Sequence, residues 1–424
     1  MILANLSVPL LGLVDTAILG HLENASTLAA AALGAYIISL LFWSFGFLRM
    51  STTGLTSRLF GAEDYAEVKA TLARALSIAG LISLAVMAIS QPILGPMAHW
   101  LSDSGPIGEL STTYMEIRIW SAPATLATYC FIGWFIGLGR SKSALLVLVA
   151  VNLTNALLDY WLIVILEMGI SGAAYASVAA EYLGLIVAGS TTLLILRQQS
   201  FADKALPKLF DRQKISALLQ ANFDLFLRTL SLLLVFLIVT AAGVRISPEV
   251  AAANAILLNL LSFSAHAMDG FAYAAESLCG RAWGKKDFRE FWLVAKESTL
   301  FALAIGVAFV MIFLLLQQPI LDLYTNLPEV IANANQTYIW LALLPLIAIW
   351  CYQLDGIFIG IGHTQSMRNA MLFSFLLVFL PTFFATRDIG PAGIWIALWT
   401  FHLARIVGLG IPLTMLFRAQ KKEA

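Results

Sequence analysis

The chain has 424 residues, of which 60% are hydrophobic and only 12% are charged, and its mean hydropathy is +0.86. This balance lies far outside that of a water-soluble domain. Lys plus Arg and Asp plus Glu both number 25, so the net charge of zero gives no argument for a nucleic-acid partner. We therefore expect the lipid bilayer to be the main surroundings of this chain.

Twelve apolar runs are long enough to cross a hydrocarbon core, which takes about 20 residues per helix. The predicted spans are 1–20, 28–48, 71–91, 115–138, 143–166, 170–196, 217–243, 250–275, 292–317, 338–361, 367–386 and 391–417. Residues 1–20 lack the basic start and the cleavage site of a signal peptide. Because no polar leader precedes the first run, we expect the native first helix to extend beyond Met1.

The basic residues of the loops fix an orientation. One set of alternating loops, together with the tail from residue 418, holds 20 of the 25 Lys and Arg residues, whereas the opposite set holds only Arg245 and Arg387. Since Lys and Arg mark the cytoplasmic side, both termini are predicted to be cytoplasmic, which requires an even number of spans. The prediction is a multi-pass protein of the bacterial inner membrane.

An internal repeat divides the chain into two halves. Residues 133–139 read GWFIGLG and residues 356–362 read GIFIGIG, an offset of 356 − 133 = 223. Two further segments recur in the same order: Arg58, Gly61 and Asp64 as Arg281, Gly284 and Asp287, and Gln91 to Leu94 as Gln318 to Leu321. Six spans in each half predict parallel repeats. We predict an N-terminal bundle at 1–196, a cytoplasmic linker at 197–216, interpreted as a solvated strap, and a C-terminal bundle at 217–424.

Ionisable side chains inside the first half are few, and each is a functional candidate because placing one at mid-bilayer costs about 2.5–3.5 kcal/mol. Asp15 follows Pro9 in the first span, and the proline permits a bend there. Asn152, Asn155 and Asp159 share one face of the fifth span. A carboxyl group among amides can hold a proton or a sodium ion. The two amides are equally compatible with hydrogen bonding between helices.

The second half lacks equivalents of Asp15 and Asp159, because the repeat offset places Ile238 and Thr382 there. It has its own charges instead: Arg228, Asp269, Glu276 and Asp355. These form either a self-satisfying buried ion-pair network or a substrate site that attracts cationic amphiphiles. Glu181, Arg118 and Arg405 rank lower, since long side chains near span ends can reach the interface.

Several motifs are absent from the sequence. It contains no phosphate-binding loop, no cluster of His and Cys with metal-ligand spacing, and no nucleophile elbow. Cys130, Cys279 and Cys351 lie in apolar runs and are interpreted as small buried hydrophobic residues. We expect neither an ATP-driven pump nor an enzyme, and no cofactor beyond a transported ion.

The chain resembles the multidrug and toxic compound extrusion (MATE) transporters, and among them the bacterial DinF-type branch. The segments that carry the resemblance are Val14-Asp-Thr16, the loop from Arg49 to Asp64, Asn155 to Asp159, Asp269 to Tyr273 and Leu354-Asp-Gly356. The resemblance implies two six-helix bundles around a V-shaped cleft, alternating access, and export of drugs driven by H+ or Na+. It also implies cation coupling at Asp15, Asn155 and Asp159, with Pro9 as the candidate for the bend of the first span.

The expected function is therefore cation-coupled antiport of small amphiphilic, cationic drugs by a monomer. The alternative is a flippase or exporter of lipid-linked or amphiphilic substrates on a related two-lobed fold. Such a flippase would need cationic side chains to hold phosphates, whereas the second half offers mainly carboxylates and Arg228. A receptor or scaffold would need a sizeable soluble domain, and the longest polar loops are about 20 residues.

Overall fold

The computed structural model describes residues 25–101, 105–198, 201, 204–205 and 207–423. Within these ranges the regular secondary structure is helical, as expected in hydrocarbon, where each backbone polar group must be satisfied within its own segment. The chain forms two compact units that divide between Ser216 and Ala217.

The first unit contains seven α-helices in its described part. They are α1 (Ala25–Ser44), α2 (Phe47–Gly61), α3 (Tyr65–Leu101), α4 (Pro106–Arg118), α5 (Ala122–Gly137), α6 (Ser141–Asp159) and α7 (Gly169–Leu196). A short 3-10 turn, Ile119–Ser121, joins α4 to α5, and a π-helix, Tyr160–Ile165, extends α6.

The second unit contains eight α-helices in its described part. They are α8 (Arg212–Ile246), α9 (Pro248–Gly284), α10 (Phe288–Leu315), α11 (Gln317–Tyr324), α12 (Pro328–Ile361), α13 (Thr364–Leu372), α14 (Leu380–Thr386) and α15 (Pro391–Glu423). A π-helix, Phe373–Phe379, separates α13 from α14, and a 3-10 turn, Arg387–Ile389, precedes α15. The large core of this unit surrounds Tyr338, Trp395 and Phe401, all buried.

Eleven helical segments of the described residues are long and apolar enough to cross a bilayer. Each overlaps one predicted span, from the second to the twelfth, which confirms the all-α membrane-spanning class. The first predicted span, 1–20, lies outside the described residues. Helix ends were predicted less well: residues 49–61 and 277–284 belong to helices rather than loops. Hydropathy marks only the apolar part of a helix, whereas the 37 residues of α9 extend about 55 Å.

The internal repeat is confirmed by equivalent close contacts within each unit. A Cβ atom at Gly133 would lie 2.4 Å from the carbonyl oxygen of Arg49, and one at Gly356 would lie 2.5 Å from that of Ala272. Arg49 and Ala272 are themselves related by the repeat offset. In both units the glycines therefore bring two helix backbones into direct contact, as small residues do in membrane proteins.

The repeat extends to backbone conformation in the turns. Gly139 and Gly362 follow α5 and α12 with positive φ angles of 72° and 76°, the conformation that glycine adopts without strain. Glu63 and Lys286, which the repeat offset also relates, have φ angles of 59° and 60°. The two units thus share turn geometry as well as helix packing.

The linker between the last helix of the first unit and α8 differs from the prediction. The side chain of Phe201 is only 2% exposed, and linker carbonyl groups accept hydrogen bonds from α3. The interpretation as a solvated strap is therefore wrong at these points. Helix α8 begins at Arg212, inside the predicted linker, and the boundary between the two units lies at Ser216, where the linker was predicted to end.

Asp211 caps the start of α8. Its Oδ1 atom accepts hydrogen bonds from the backbone N–H groups of Gln213 and Lys214, at 2.9 and 3.3 Å. The hydrogen bond from the Lys214 N–H lowers the pKa of Asp211 below its ordinary value. The capping carboxylate is consequently charged at neutral pH.

The glycine contacts lead to a first prediction. Gly133→Ala should lower the free energy of unfolding by about 1–3 kcal/mol, because the added methyl group overpacks the contact with Arg49. Gly189→Ala is the matched control: its Cβ would meet no atom within 4 Å, so stability should stay constant or rise by up to about 1 kcal/mol. Thermal unfolding in detergent measures both. Equal midpoints for the two variants would show that the close contact is unimportant.

Candidate functional site

A buried amide–carboxylate pair lies in the fifth span. Asn155 and Asp159 are 4% and 1% exposed, and the Nδ2 atom of Asn155 donates a hydrogen bond to Oδ2 of Asp159 at 2.8 Å. Four residues apart on α6, the two side chains occupy one face of the helix. The pair therefore presents oxygen atoms and a titratable group at a buried position, the requirements for holding a proton or a hard cation.

The backbone changes its hydrogen-bonding pattern directly after this pair. The π-helix Tyr160–Ile165 begins at the residue following Asp159, and the N–H of Leu166 donates to the carbonyl of Trp161 at 3.0 Å, five residues back. Segments of this kind are rare and occur frequently at functional sites. Asp159 thus lies at a junction where the helix register can change.

The other residues predicted for this site are placed only in part. Asn152 lies on the same α6 face and is half-buried. Asp15 and Pro9 lie outside the described residues. Among the described residues, no three His, Cys, Asp or Glu side chains group as a metal site would require. The described half of the predicted cation site is therefore the Asn155–Asp159 pair with Asn152 beside it.

The second unit contains a buried ion cluster. Asp355 on α12 accepts hydrogen bonds through Oδ2 from Nη2 of Arg228 on α8 and from Nη2 of Arg405 on α15, the latter at 2.7 Å. The three residues are 5%, 7% and 2% exposed, respectively. Two guanidinium groups thus share one carboxylate and join three helices. Arg228 and Asp355 are therefore partners in a buried ion pair, and a substrate role of the charges in this half stays a prediction.

The remaining two predicted residues of this half lie on α9. Asp269 is half-buried and lies near Tyr352, which is itself near Arg405 and Asp355. Glu276 is 2% exposed, and its carbonyl oxygen lies at the close glycine contact of α9 with α12. Asp269 therefore borders the ion cluster, whereas Glu276 lies two helical turns further along the contact.

A second polar cluster lies in the first unit. The Nη1 atom of Arg118 donates to Oγ of Ser121 at 2.8 Å, and its guanidinium lies 5.9 Å from the centroid of the Phe42 ring. Glu181 on α7 interacts with Arg118 and with Thr125. Ionisable side chains of α4 and α7 therefore lie within electrostatic range of each other inside this unit.

Arg118 and Arg405 lie well inside the spans Pro106–Gly137 and Pro391–Arg418, so the interfacial interpretation of these two side chains was wrong. Arg405 lies near the middle of the predicted span 391–417, too far from either end for its side chain to reach the interface, and this signal was available in the sequence. For Arg118 the signal was hidden, because hydropathy placed the span start at residue 115 while the helix begins at Pro106. Both arginines were ranked low because their positions within the predicted spans were misjudged.

The ion cluster leads to a second prediction. Asp355→Asn should lower the free energy of unfolding by about 3–5 kcal/mol, since it leaves two buried guanidinium groups without their carboxylate. Asp388→Asn serves as control, because Asp388 is paired with Arg387 at an exposed position. Thermal unfolding in detergent is the measurement, and similar midpoints for the two variants would contradict the structural role.

Comparison with known proteins identifies the family. The MatE family model matches residues 1–161 and 225–384. The chain is 36% identical over 423 residues to the DNA damage-inducible protein F of Escherichia coli (strain K12), covering 99% of this chain and 90% of that protein. It is 24% identical to the probable multidrug resistance protein NorM of Halalkalibacterium halodurans, covering 97% and 91%.

Solved structures agree on the fold. The crystal structure of MATE in the straight conformation matches with a TM-score of 0.89 at 19% identity, covering 100% of this chain and 95% of that one. At this identity the match concerns the fold alone. Together with the family match over most of the sequence, it leads to one conclusion: the chain belongs to the MATE family, whose members are membrane transporters and not enzymes.

Proposed function

We propose that the chain is a secondary active multidrug exporter that exchanges H+ or Na+ for small amphiphilic, cationic drugs. The observation that carries the proposal is the buried Asn155–Asp159 pair at the start of a π-helix. Support for drugs as substrates comes from the relative named as a probable multidrug resistance protein. The basic-loop asymmetry supports a bacterial inner-membrane location with cytoplasmic termini. We propose the monomer as the working unit.

The coupling cation binds at Asp159 in this proposal, with Asn155, Asn152 and Asp15 completing the site. The Nδ2 atom of Asn155 donates to the carboxylate and orients it. A proton or a sodium ion bound at this buried carboxylate would neutralise it, and loss of the cation would restore a buried anion, which is unfavourable in hydrocarbon. Binding of the cation thus favours one conformation over another, which is the requirement of antiport by alternating access.

The second unit is a poorer place for the cation. The two guanidinium groups at Asp355 already compensate its charge and would repel an arriving cation. We therefore assign coupling to the first unit and a structural role to the ion cluster. The bend of the first span at Pro9 remains part of the proposal as the conformational response to cation binding.

A second candidate is export of anionic or lipid-linked amphiphiles. The observation in its favour is Arg405, which adds a second buried cation to Arg228. Both arginines donate to Asp355, however, so their charge is partly used within the protein. Because both arginines are already paired with Asp355, we favour the drug exporter over the exporter of anionic or lipid-linked amphiphiles.

The proposal is tested in proteoliposomes with proton and sodium gradients imposed separately. We expect efflux of a cationic dye to follow one of the two gradients and to stop when that gradient is dissipated. Dye efflux that depends on neither gradient would contradict antiport. Transport of an anionic lipid analogue with no transport of the dye would instead support the second candidate.

A third prediction concerns Asp159 itself. Asp159→Asn should reduce gradient-driven dye efflux to nearly the rate of protein-free liposomes, because an amide cannot bind and release a proton and binds Na+ less well than a carboxylate. Asp15→Asn should have the same effect. Asp322→Asn, at an exposed carboxylate that accepts from Gln318, is the matched control and should retain full efflux. Wild-type efflux by Asp159→Asn would remove this residue from the coupling site.

A fourth prediction separates structure from transport in the second unit. The triple variant Arg228→Met, Asp355→Leu and Arg405→Met replaces the ion cluster by apolar residues of similar volume. Its free energy of unfolding should equal or exceed that of the wild-type protein. Dye efflux should persist if the cluster is structural. Thermal unfolding and efflux are measured on the same preparation, and a stable but inactive triple variant would assign the cluster to transport.

A further inference from the structure

The linker is held on the first unit through its backbone. Four of its carbonyl groups accept hydrogen bonds from two basic side chains of α3. Lys69 donates to Phe201, at 3.0 Å, and to Lys204, while Arg74 donates to Lys208 and Leu209, at 2.9 and 2.8 Å. Because carbonyl groups make these contacts, the linker backbone is held at these residues without using the side chains of Lys204 and Lys208.

One aromatic side chain and one carboxylate complete the attachment. The ring of Phe201 lies 5.3 Å from that of Tyr65 and 6.1 Å from that of Trp134, centroid to centroid. Glu67 pairs with Arg74 at 2.8 Å and also with Lys214 in the first turn of α8. The linker is thus anchored at its middle and at its end.

The attached linker has an exposed basic surface. Lys204 and Lys208, whose carbonyl groups are held by α3, have exposed residue surfaces, and so has Arg212 at the start of α8. Phe210 lies between Lys208 and Arg212 and is 77% exposed. An exposed aromatic ring flanked by cations is typical of segments that lie at a membrane interface.

The position of the linker indicates the partner. It connects two membrane-spanning segments, Gly169–Leu196 and Arg212–Ile246, so both of its ends are tied to helices that enter the bilayer. From Arg197 to Ser216 it carries five basic and two acidic residues. Basic residues so close to a bilayer are attracted to anionic headgroups, and the apolar ring of Phe210 can enter the headgroup region.

We propose that the linker is a binding strap for anionic phospholipid, with Lys204, Lys208 and Arg212 contacting the headgroup phosphates and Phe210 inserting beside them. Because α3 holds the carbonyl groups of Lys204 and Lys208, less backbone entropy is lost on binding at these residues than in a free loop. Because the linker is held on the first unit, a lipid bound to the linker is attached to the first unit as well. This inference is independent of the transported substrate and of the coupling ion.

The experiment uses the full chain in neutral detergent with added phosphatidylglycerol, phosphatidylcholine or inorganic phosphate. We expect phosphatidylglycerol alone to raise the thermal unfolding midpoint in a saturable way. Lys204→Gln, Lys208→Gln and Arg212→Gln together should weaken the apparent affinity for phosphatidylglycerol by at least about tenfold. Phe210→Ser should weaken it as well, without any change of charge.

Matched controls exclude general charge effects and misfolding. Lys285→Gln, Lys286→Gln and Arg289→Gln remove three exposed cations at a turn of the second unit and should leave the affinity unchanged. The linker variants should keep the wild-type midpoint in phosphatidylcholine, since the carbonyl contacts remain. Wild-type phosphatidylglycerol affinity in either linker variant, or an equal midpoint rise with inorganic phosphate, would overturn the proposal.

Discussion

At Gly133 and Gly356 two helix backbones meet at a distance that leaves no space for a side chain, and the arrangement of each unit depends on this contact. Helices in hydrocarbon gain little from burying apolar surface against one another, so close packing has to supply the attraction. Glycine provides it by removing the side chain at the crossing. Because the contact recurs in the second unit at equivalent positions, the two units share the same helix packing at this crossing.

Within this common helix packing the buried charges are satisfied in two different ways. Asp159 receives a hydrogen bond from the amide of Asn155, which orients the carboxylate. Asp355 receives hydrogen bonds from two guanidinium groups, which compensate its charge permanently. Our proposal of cation coupling in the first unit rests on the burial of the Asn155–Asp159 pair and on the two guanidinium groups that would repel a cation at Asp355.

The linker backbone is held by hydrogen bonds, whereas the side chains of Lys204 and Lys208 are exposed. Lys69 and Arg74 bind its carbonyl groups, so the side chains of Lys204 and Lys208 take no part in these hydrogen bonds. Phe201 is buried while Phe210, nine residues later, is exposed. The two phenylalanines thus have opposite roles, one toward the protein and one toward the surroundings.

Much of this protein was determined by its sequence alone. Apolar runs of about 20 residues predicted the spans because hydrocarbon thickness sets their length. The constant offset between GWFIGLG and GIFIGIG predicted the repeat, because identical glycine spacing requires the same helix contact. The Asn155–Asp159 pair was also predictable, since residues four apart on a helix share a face.

Other features were decided by tertiary structure. The partnership of Arg405 with Asp355 joins residues on two different helices and depends on how α12 packs on α15. The docking of the linker depends on hydrogen bonds to backbone carbonyl groups, which carry no sequence signal. Periodicity and hydropathy describe one helix at a time, so they predicted which residues are buried. Only the packing of helices against one another determined which buried charges meet.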